Sequence, residues 1–421
     1  MAKRNLVAVL AAIVSVSWLS LSGVPAYAAS GSTPGVTATT IRVGVPYVDV
    51  AAVKAVGVDI SWGSVPDAFN AVIANMNAHG GINGRKVVPY LVAVNPTGTA
   101  PAATACTQLT EDDTVFAAVA PLDATCYLQH DTPVVASVYA SGPSSTTAQD
   151  FTTTPPNDAY DALSLGVYKK QGVFTHKKVA LFGGDTADES ELNAVKSQLA
   201  KLHVPVVTTA VDSAPQGDLP AENAQLTAIA QRFQSDGVNE VVAVGQGSAV
   251  WPEGLSSIQS AYNPPWVATS ESDFSGAVGG KYDPAYLKNV VTSTPLPPPA
   301  SIWSNAGTQQ CVHTIKKAYP GDGIASPIGQ PASDTSDSTY VSAMNACQNV
   351  AIFTTIAKAA GKNLTVASFT RAGEGLHDVV FPGVGSAVSF NGKPYAIGNV
   401  HLARYKTGAG GFVIAAHSSS P

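Results

Sequence analysis

The chain has 421 residues and a formal net charge of −6, and 12% of its residues are charged. A mildly acidic chain without a basic run lacks the positive surface that nucleic acid or an anionic membrane requires, so those partners are excluded. The length exceeds what one ordinary hydrophobic core holds, and we therefore expect two lobes.

The first 28 residues have the three parts of a secretory signal peptide. Lys3 and Arg4 precede an apolar stretch, which ends at a small-residue A-x-A site. This pattern predicts cleavage after Ala28 and export of the mature protein. A transmembrane anchor is the alternative, but the stretch is short for a bilayer span, and no cysteine lies near the site to carry a lipid. Residues 29–40 are rich in Gly, Ser, Thr and Pro, which predicts a flexible lead-in.

Residues 41–94 read as strand, helix, turn and strand. A short apolar run at 41–45 is followed by residues 65–79, whose apolar side chains recur at helical spacing. Gly80 can end this helix in the left-handed conformation. The Asn83-Gly84 pair then favours a turn, and an extended run follows it. The opening is therefore β-α-β, which is typical of a mostly parallel sheet.

The same alternation continues along the chain and predicts the α/β class. Strands are expected at 86–94, 115–120, 133–137, 178–182, 204–211, 240–244, 265–269 and 290–293. Helices are expected at about 102–110, 189–202, 221–235 and 252–262, and two more carry the cysteines of the C-terminal third. The interruption at 151–157 and the Pro-rich stretch at 295–299 indicate crossings between lobes.

The ending of the first helix, AHGGINGRKV at 78–87, resembles the branched-chain-amino-acid-type (Leu/Ile/Val-binding) substrate-binding proteins of ABC transporters. The resemblance covers nearly the whole mature chain. It implies the type I periplasmic binding fold, with two Rossmann-like lobes and mostly parallel sheets joined by a three-segment hinge. Lobe 1 would comprise 41–152 and 295–385, and lobe 2 would comprise 153–294. The segment 386–421, with extended runs at 388–390 and 399–405, would return to lobe 2 and form the tail.

Four cysteines in an exported chain favour two disulfides. Three pairings are possible, and sequence proximity together with the lobe assignment favours Cys106 with Cys126 and Cys311 with Cys347. A metal site is the alternative, but the sequence has neither CxxC nor Cys/His ligand spacing.

No catalytic signature holds in this sequence. Ser248 lacks the flanking glycines of a nucleophile elbow, and the eight histidines are scattered without HExxH spacing. We therefore expect a binding protein without catalytic residues, metal or cofactor. The alternatives are a secreted sensor or scavenger of the same fold and, with less support, a secreted α/β hydrolase.

Candidate ligand residues in lobe 1 lie in loops that follow strands, because those loops border the cleft of an open α/β sheet. The resemblance implies that Trp62 covers the ligand and that the loop at 122–125 holds the carboxylate of an amino acid. The remaining candidates from this lobe are Thr125, Ser137, Tyr139, Ala140 and Ser141.

Lobe 2 contributes the second set of candidates. The resemblance implies Ser248 and Trp251 after the strand at 240–244, and Glu271, with Asp273 as a substitute, for the ammonium group of the ligand. Asp185 lies in a loop before a helix, where it can cap that helix or contact the ligand at the rim.

Asp123 departs from the family pattern. A carboxylate beside the ligand's own carboxylate would repel it unless protonated or paired. If Asp123 points into the cleft, the ligand is neutral or cationic; if it points away, a zwitterion fits. The sequence thus predicts hinge closure on a small polar ligand, an amino acid or related metabolite, and delivery to an ABC permease.

Overall fold

The structure is a computed structural model. It describes residues 33–55, 60–96, 100–136, 149–184, 186–214, 219–245, 247–258, 262–269, 284–287, 290–295, 297–328, 338–384, 387–393, 395–398, 400–406 and 411–414. These residues belong to one compact unit that begins at Thr33. Within them, no helix is both long enough and apolar enough to cross a membrane.

Lobe 1 is built on five parallel strands. They are β1 (Thr40–Val48), β2 (Lys86–Val94), β3 (Ala117–Val119), β4 (Val134–Ala136) and β5 (Asp150–Thr152). Their order in the sheet is β2-β1-β3-β4-β5, and each neighbouring pair is parallel. The helices among these strands are α1 (Val50–Ala55), α2 (Val65–Ala78), α3 (Ala100–Thr107), which continues as a π-helical turn (Gln108–Asp112), and α4 (Thr125–Gln129).

Lobe 2 is built on a seven-stranded mixed sheet. Its strands are β6 (Val179–Gly183), β7 (Val206–Val211), β8 (Glu240–Val244), β9 (Trp266–Ala268), β10 (Val291–Thr294), β13 (His401–Lys406) and β14 (Gly411–Ile414). The order is β14-β13-β10-β9-β8-β6-β7, in which β13 and β14 are antiparallel to their neighbours. The helices are α5 (Asn157–Lys170), α6 (Glu189–Lys201), α7 (Leu219–Ser235), α8 (Gly247–Ile258) and α9 (Pro284–Leu287), with a 3-10 turn at Thr186–Asp188.

After β10 the chain returns to lobe 1, before it enters lobe 2 for the last time as β13. The helices of this part are α10 (Pro299–Trp303), α11 (Ala306–Ala318), α12 (Tyr340–Ala359) and α13 (Val366–Glu374), with a 3-10 turn at Pro320–Asp322. Side chains of α11, α12 and α13 share one apolar core with β1 and α2. The two short strands β11 (Val379–Val380) and β12 (Ala387–Val388) pair with each other in a separate sheet. The predicted α/β class, two lobes and mostly parallel sheets are confirmed.

The stop after α2 follows from backbone chemistry. The helix begins after Ser64, whose Oγ accepts from the Asp67 N–H at 3.3 Å. Gly80 and Gly81 then take φ values of 94° and 63°, which L-residues rarely adopt. A Cβ at Gly81 would overlap the carbonyl oxygen of Arg85, so glycine is required for the turn that leads into β2.

Side chains alternate across both sheets, so each sheet has a core on both faces. In β6, Val179 and Leu181 pack beneath α5 and α6, whereas Ala180 and Phe182 pack beneath α7 and α8. A strand that is buried on both faces reads as a continuous apolar run. This explains why the apolar runs in the sequence predicted the strands of lobe 2.

Both disulfide pairings expected from the sequence are confirmed, and both lie in lobe 1. Cys106–Cys126 joins α3 to α4, and Cys311–Cys347 joins α11 to α12. The first of these ties the segment that follows β3 to the body of the lobe, and it holds that segment at the carboxyl edge of the sheet.

The chain enters lobe 2 for the last time later than the sequence predicted. Val388 and Phe390 were expected in lobe 2, but both belong to the lobe 1 core, where the Phe390 ring lies 5.4 Å from that of Phe151. That expectation is wrong because β12 pairs locally with β11 and keeps the segment on lobe 1. Residues 401–405 of the run predicted at 399–405 do join lobe 2, as part of β13, and Asn399 lies outside the described residues.

The hinge includes direct backbone pairing between the first and last crossings. Ala396 N donates to Thr152 O at 3.0 Å, and Ile397 N donates to Thr153 O at 2.9 Å. Gln348 of α12 donates to the Thr153 hydroxyl at 3.3 Å. The crossing strands are therefore fastened to each other and to lobe 1 next to the point where the chain leaves for lobe 2.

Gly373→Ala is expected to lower the free energy of unfolding by about 1–3 kcal/mol. A Cβ on Gly373 would overlap the ring of Phe151, which cannot move because Phe369 and Phe390 pack edge-on against it. Urea denaturation measures the change. Gly166→Ala in α5, where a Cβ meets nothing within 4 Å, is the control and should be neutral or stabilising by about 0.5–1 kcal/mol. Equal effects of the two substitutions would contradict the packing argument.

Asp150→Asn is expected to stabilise the protein above neutral pH and to have little effect at about pH 4. Burial raises the pKa of Asp150 from 3.8 to about 7, so the folded state binds this proton more tightly than the unfolded state. The cost of ionising a buried carboxyl is therefore absent below the unfolded pKa, grows as pH rises, and is complete above the folded pKa. A gain of the order of 3 kcal/mol at about pH 8 is expected in urea denaturation. The exposed Asp112→Asn controls for the loss of one negative charge, and an Asp150→Asn effect that is the same at both pH values would contradict this interpretation.

Candidate ligand-binding site

A cavity of about 320 Å³ opens at the carboxyl ends of β1, β3 and β4. In a sheet of order 2-1-3-4-5 the loops after the first and third strands lead in opposite directions, which leaves a crevice between them. The cavity lies at that switch point. Its position therefore follows from the strand order and not from any one side chain.

The cavity walls are mostly apolar. One side is formed by the last residues of β1 and β4 and by the residues that follow β3: Pro46, Tyr47, Val48, Ala136, Ala120, Pro121 and Leu122. The other side is formed by the residues Trp62, Val65, Phe69, Val341, Ser342 and Asn345, which lie at or near the starts of α2 and α12. No charged side chain is among these lining residues, so the walls are suited to the apolar body of a ligand.

Trp62 is held in the wall by α12. Its carbonyl oxygen accepts from the Ser342 N–H at 3.1 Å, which is one of the backbone donors left over in the first turn of that helix. The side chain is partly exposed. The structure thus brings Trp62 to the cavity, as the sequence predicted.

Two polar groups in the wall keep unused hydrogen-bonding capacity. Asn345 Oδ1 accepts from Asn349 Nδ2 at 3.0 Å, and this bond leaves the Asn345 amide N–H groups without a protein acceptor among the described residues. The Tyr47 hydroxyl likewise has no protein partner in the described part of the chain. Sequence reasoning missed Asn345 and did not single out Tyr47. The available signal was the Asn345/Asn349 pair, four residues apart within an otherwise strongly apolar helix.

The loop after β3 turns sharply into the cavity. Ala120 has a φ of 57°, in the left-handed region that a non-glycine residue rarely adopts. Its backbone N–H still donates to Val135 O at 2.7 Å, so the sheet ladder is intact up to the turn. The bend places Pro121 and Leu122 in the cavity wall.

The Asp123 side chain forms a hydrogen bond within its own loop, at 122–125, which the sequence analysis assigned to the ligand. Its Oδ1 accepts from the Thr125 N–H at 2.7 Å. Burial, and then the negative charge of Asp123, raise the pKa of Tyr127 above its usual range, which places the carboxylate near that ring. The Thr125 N–H is therefore not available to an anionic ligand while this turn persists.

In lobe 2 an aspartate carboxylate likewise accepts from a backbone N–H of a loop, at the switch point between β6 and β8. Asp188 Oδ2 accepts from the Gly184 N–H at 2.7 Å, and a Cβ on Gly245 would overlap Asp188 Oδ1. The Asp188 carboxylate thus fills the space between the loops that follow β6 and β8. Gly245, with a φ of 53°, permits this close approach.

Trp251 is a core residue and not a ligand residue, so that prediction is wrong. Its side chain is 0% exposed and packs against Phe182 and Phe233, with ring centroids 5.2 Å and 5.5 Å away. The error arose from reading Pro252 as the start of a helix. The helix α8 begins at Gly247, and its first turns direct Trp251 inward.

Ser248 is also enclosed. It is 1% exposed, and its hydroxyl donates to the Gly245 carbonyl at 2.8 Å. Its hydroxyl therefore steadies the start of α8 and does not reach a ligand in this structure. The other candidates, Ser137, Tyr139, Ala140, Ser141, Asp185, Glu271 and Asp273, lie outside the described residues.

The structure is a two-lobed α/β protein with a cavity of small-molecule size at the carboxyl ends of the strands of lobe 1. The sequence profile of the family described as "Periplasmic binding protein" matches residues 40–409. The chain belongs to that family. No curated protein matches the sequence significantly.

Solved structures of ABC transporter substrate-binding proteins are similar to the chain. The fatty acid ABC transporter substrate-binding protein from Thermomonospora curvata has 16% identity and a TM-score of 0.63, over 92% of this chain and 94% of that one. The branched-chain amino acid transporter substrate-binding protein from Streptococcus pneumoniae, in complex with isoleucine, has 16% identity and a TM-score of 0.59, over 91% and 100%. A solute-binding protein from R. palustris, in complex with benzoate, has 14% identity and a TM-score of 0.57, over 91% and 97%. At these identities the likeness establishes the type I periplasmic binding fold.

The two tryptophans should separate stability from ligand binding. Trp251→Ala is expected to lower the free energy of unfolding by about 3–5 kcal/mol, because it removes one of the two fully buried tryptophans of lobe 2. Trp62→Ala should cost less than about 1 kcal/mol in stability and weaken ligand binding, since this side chain is partly exposed in the cavity wall. Urea denaturation and calorimetric titration measure the two effects. Loss of binding in a folded Trp251→Ala protein would reinstate Trp251 as a ligand residue.

Proposed function

We propose that this chain is the extracytoplasmic solute-binding protein of an ABC transporter, and that it captures a small ligand with an apolar body. The observation that carries the proposal is the lobe 1 cavity, whose described lining residues include Tyr47, Trp62, Phe69 and Val341 and no charged side chain. Removing an aliphatic or aromatic ligand surface from water against such walls contributes about 25 cal/mol per Å². Delivery to a permease is inferred from the family.

The size of the cavity supports a metabolite as ligand. Its volume of about 320 Å³ lies at the low end of the range for small-molecule pockets. Substrate-binding proteins with similar folds bind isoleucine and benzoate, and another is described as a fatty acid transporter component. All of these ligands have an apolar body, which agrees with the walls of this cavity. We propose that the ligand of this protein also has an apolar body, and we do not assign it the identity of any of these ligands.

Capture is proposed to occur by hinge closure. A ligand held by lobe 1 alone leaves one side exposed to water, whereas a closed form surrounds it from both lobes. Ligand contacts that exist only in the closed form would shift the population toward that form. The backbone bonds of Thr152 and Thr153 to the last crossing lie at the pivot of this movement. The segments at 137–141 and 271–273 and the residue Asp185 are proposed to complete the closed site.

A compound that binds the folded state should raise its thermal stability. At about a hundred times its dissociation constant the gain is about 2.7 kcal/mol. We expect such a shift for at least one member of a panel of aliphatic and aromatic acids, amides, amines and amino acids. The exported protein is first unfolded and refolded, with its disulfides intact, to remove ligand carried over from expression.

Val341→Asp is expected to abolish this shift, because it places a charge in the apolar wall. Val413→Asp is the matched control, since Val413 is 42% exposed on β14, and the shift should be retained. Because Val341→Asp can also disturb α12, Trp62→Ala is measured in parallel. A shift that survives both cavity substitutions would move the site elsewhere, and the absence of any shift would contradict the proposed function.

A further inference from the structure

A second cavity, of about 300 Å³, lies among three helices of lobe 1, α2, α11 and α12. On each helix its lining residues recur at helical spacing, as Cys347, Val350, Ala351 and Thr354 do on α12. None of its described lining residues also lines the cavity at the strand ends, although α2 and α12 contribute to both. The second cavity is therefore a separate feature of lobe 1, which the proposed function does not use.

Bonds between the helices hold the walls of the second cavity in place. The disulfide Cys311–Cys347 joins α11 to α12, with 5.9 Å between the Cα atoms. The Thr354 hydroxyl donates to Met76 Sδ at 3.0 Å and so joins α12 to α2. All four of these residues line the cavity. Because the walls are already fixed, a ligand that enters has little ordering of side chains to offset.

The walls are mostly apolar, and no charged side chain is among the described lining residues. A charged ligand would lose its hydration in this cavity without gaining an ion-pair partner. Asn75 and Gln310 also line the cavity and are exposed to solvent, so a ligand can enter from the surface past uncharged amides. The lining therefore favours an uncharged molecule.

The sulfur-bearing residues of the walls favour an aromatic ligand. Met76, Cys311 and Cys347 meet at this cavity, and sulfur is the only heavy atom of a cysteine side chain beyond Cβ. Sulfur is polarisable and makes favourable contacts with aromatic rings. No aromatic side chain is among the described lining residues, so an aromatic ring would have to come from the ligand.

The size of the second cavity and its surroundings favour a small molecule over a docked protein. A volume of about 300 Å³ lies at the low end of the range for small-molecule pockets. Surfaces that bind proteins expose contiguous large apolar side chains. The exposed large apolar residues of the described chain, Val207, Ile328, Val380 and Val413, do not line this cavity.

We infer that the second cavity is a binding site for a small, uncharged aromatic molecule. Its walls supply apolar and sulfur contacts, and the absence of charged lining residues sets the preference for an uncharged ligand. Such a molecule would contact α2 and α12, the helices that also contribute walls to the proposed solute site. The inference does not depend on the proposed function, because the two cavities are lined by different residues.

Fluorine NMR tests the site with 4-fluorobenzyl alcohol as the probe, added to the refolded exported protein. We expect a saturable bound signal that Ala351→Leu weakens at least about tenfold, because the added carbon atoms occupy the cavity. Thr314→Leu fills the cavity from α11 and should have the same effect. The Thr314 hydroxyl donates within its own helix, to the Gln310 carbonyl at 3.0 Å, so its loss leaves the contacts between helices intact.

Two control variants should leave this signal within about threefold. Ala194→Leu adds the same side chain at an exposed position of α6 in lobe 2. Trp62→Ala alters the cavity at the strand ends and not the second cavity.

Displacement of the probe at about pH 7 ranks the ligand classes at this site. Benzoate and benzylamine, which are charged at this pH, should need at least about tenfold higher concentrations than benzyl alcohol. Cyclohexylmethanol is uncharged but has no aromatic ring, and it should need about threefold more than benzyl alcohol.

Each contrary result overturns a stated part of the inference. A bound signal that survives both Ala351→Leu and Thr314→Leu, or that Trp62→Ala removes, would place the probe elsewhere. Benzoate or benzylamine as effective as benzyl alcohol would overturn the uncharged class, and equally effective cyclohexylmethanol would overturn the aromatic class. The absence of any bound signal would overturn the site itself. The proposed function is tested separately by Val341→Asp, so the two failures are distinguishable.

Discussion

The order of the parallel strands is the constraint on which the site depends. In each lobe the five parallel strands run in the order 2-1-3-4-5, so the loops after the two inner strands separate and leave a crevice. Lobe 1 lines its crevice with Tyr47, Trp62 and Leu122, and the result is an open apolar cavity. Lobe 2 fills the space between the corresponding loops with the carboxylate of Asp188. One topology therefore gives two different surfaces.

The internal aspartates stabilise two loops that border the crevices. Asp123 and Asp188 each accept from a backbone N–H in a loop that borders a crevice, which stabilises the loop in the absence of ligand. A loop that is already held loses less conformational entropy when a ligand binds. The same bonds withdraw those donors from the ligand.

The remaining supports of lobe 1 hold the cavity walls in place. The disulfide Cys106–Cys126 fixes α4 beside the Asp123 turn, and Cys311–Cys347 fixes α12, which presents Ser342 and Asn345. The aromatic cluster of Phe151, Phe369 and Phe390 packs where the chain leaves for lobe 2. In the proposed hinge closure, movement at the crossings would leave the cavity walls of lobe 1 in place.

The sequence by itself determined the features that depend on local periodicity and backbone chemistry. Apolar runs predicted the strands, and the glycines at 80 and 81 predicted the end of α2, because positive φ is a property of the residue itself. The cysteine pairs were favoured by proximity along the chain and by lobe. Trp62 was named as a candidate through the family resemblance, by its position before α2, and it lines the cavity.

Only the tertiary structure decided which way side chains point. Trp251 faces the core because α8 begins at Gly247, and Phe390 stays on lobe 1 because β12 pairs with β11. Asn345 reaches the cavity because α12, more than two hundred residues from β3 along the chain, packs across the same sheet. The direction of the Asp123 carboxylate, left open by the sequence, was settled by one hydrogen bond to Thr125. These outcomes depend on the position and rotation of whole elements, which are set by contacts between residues distant in sequence.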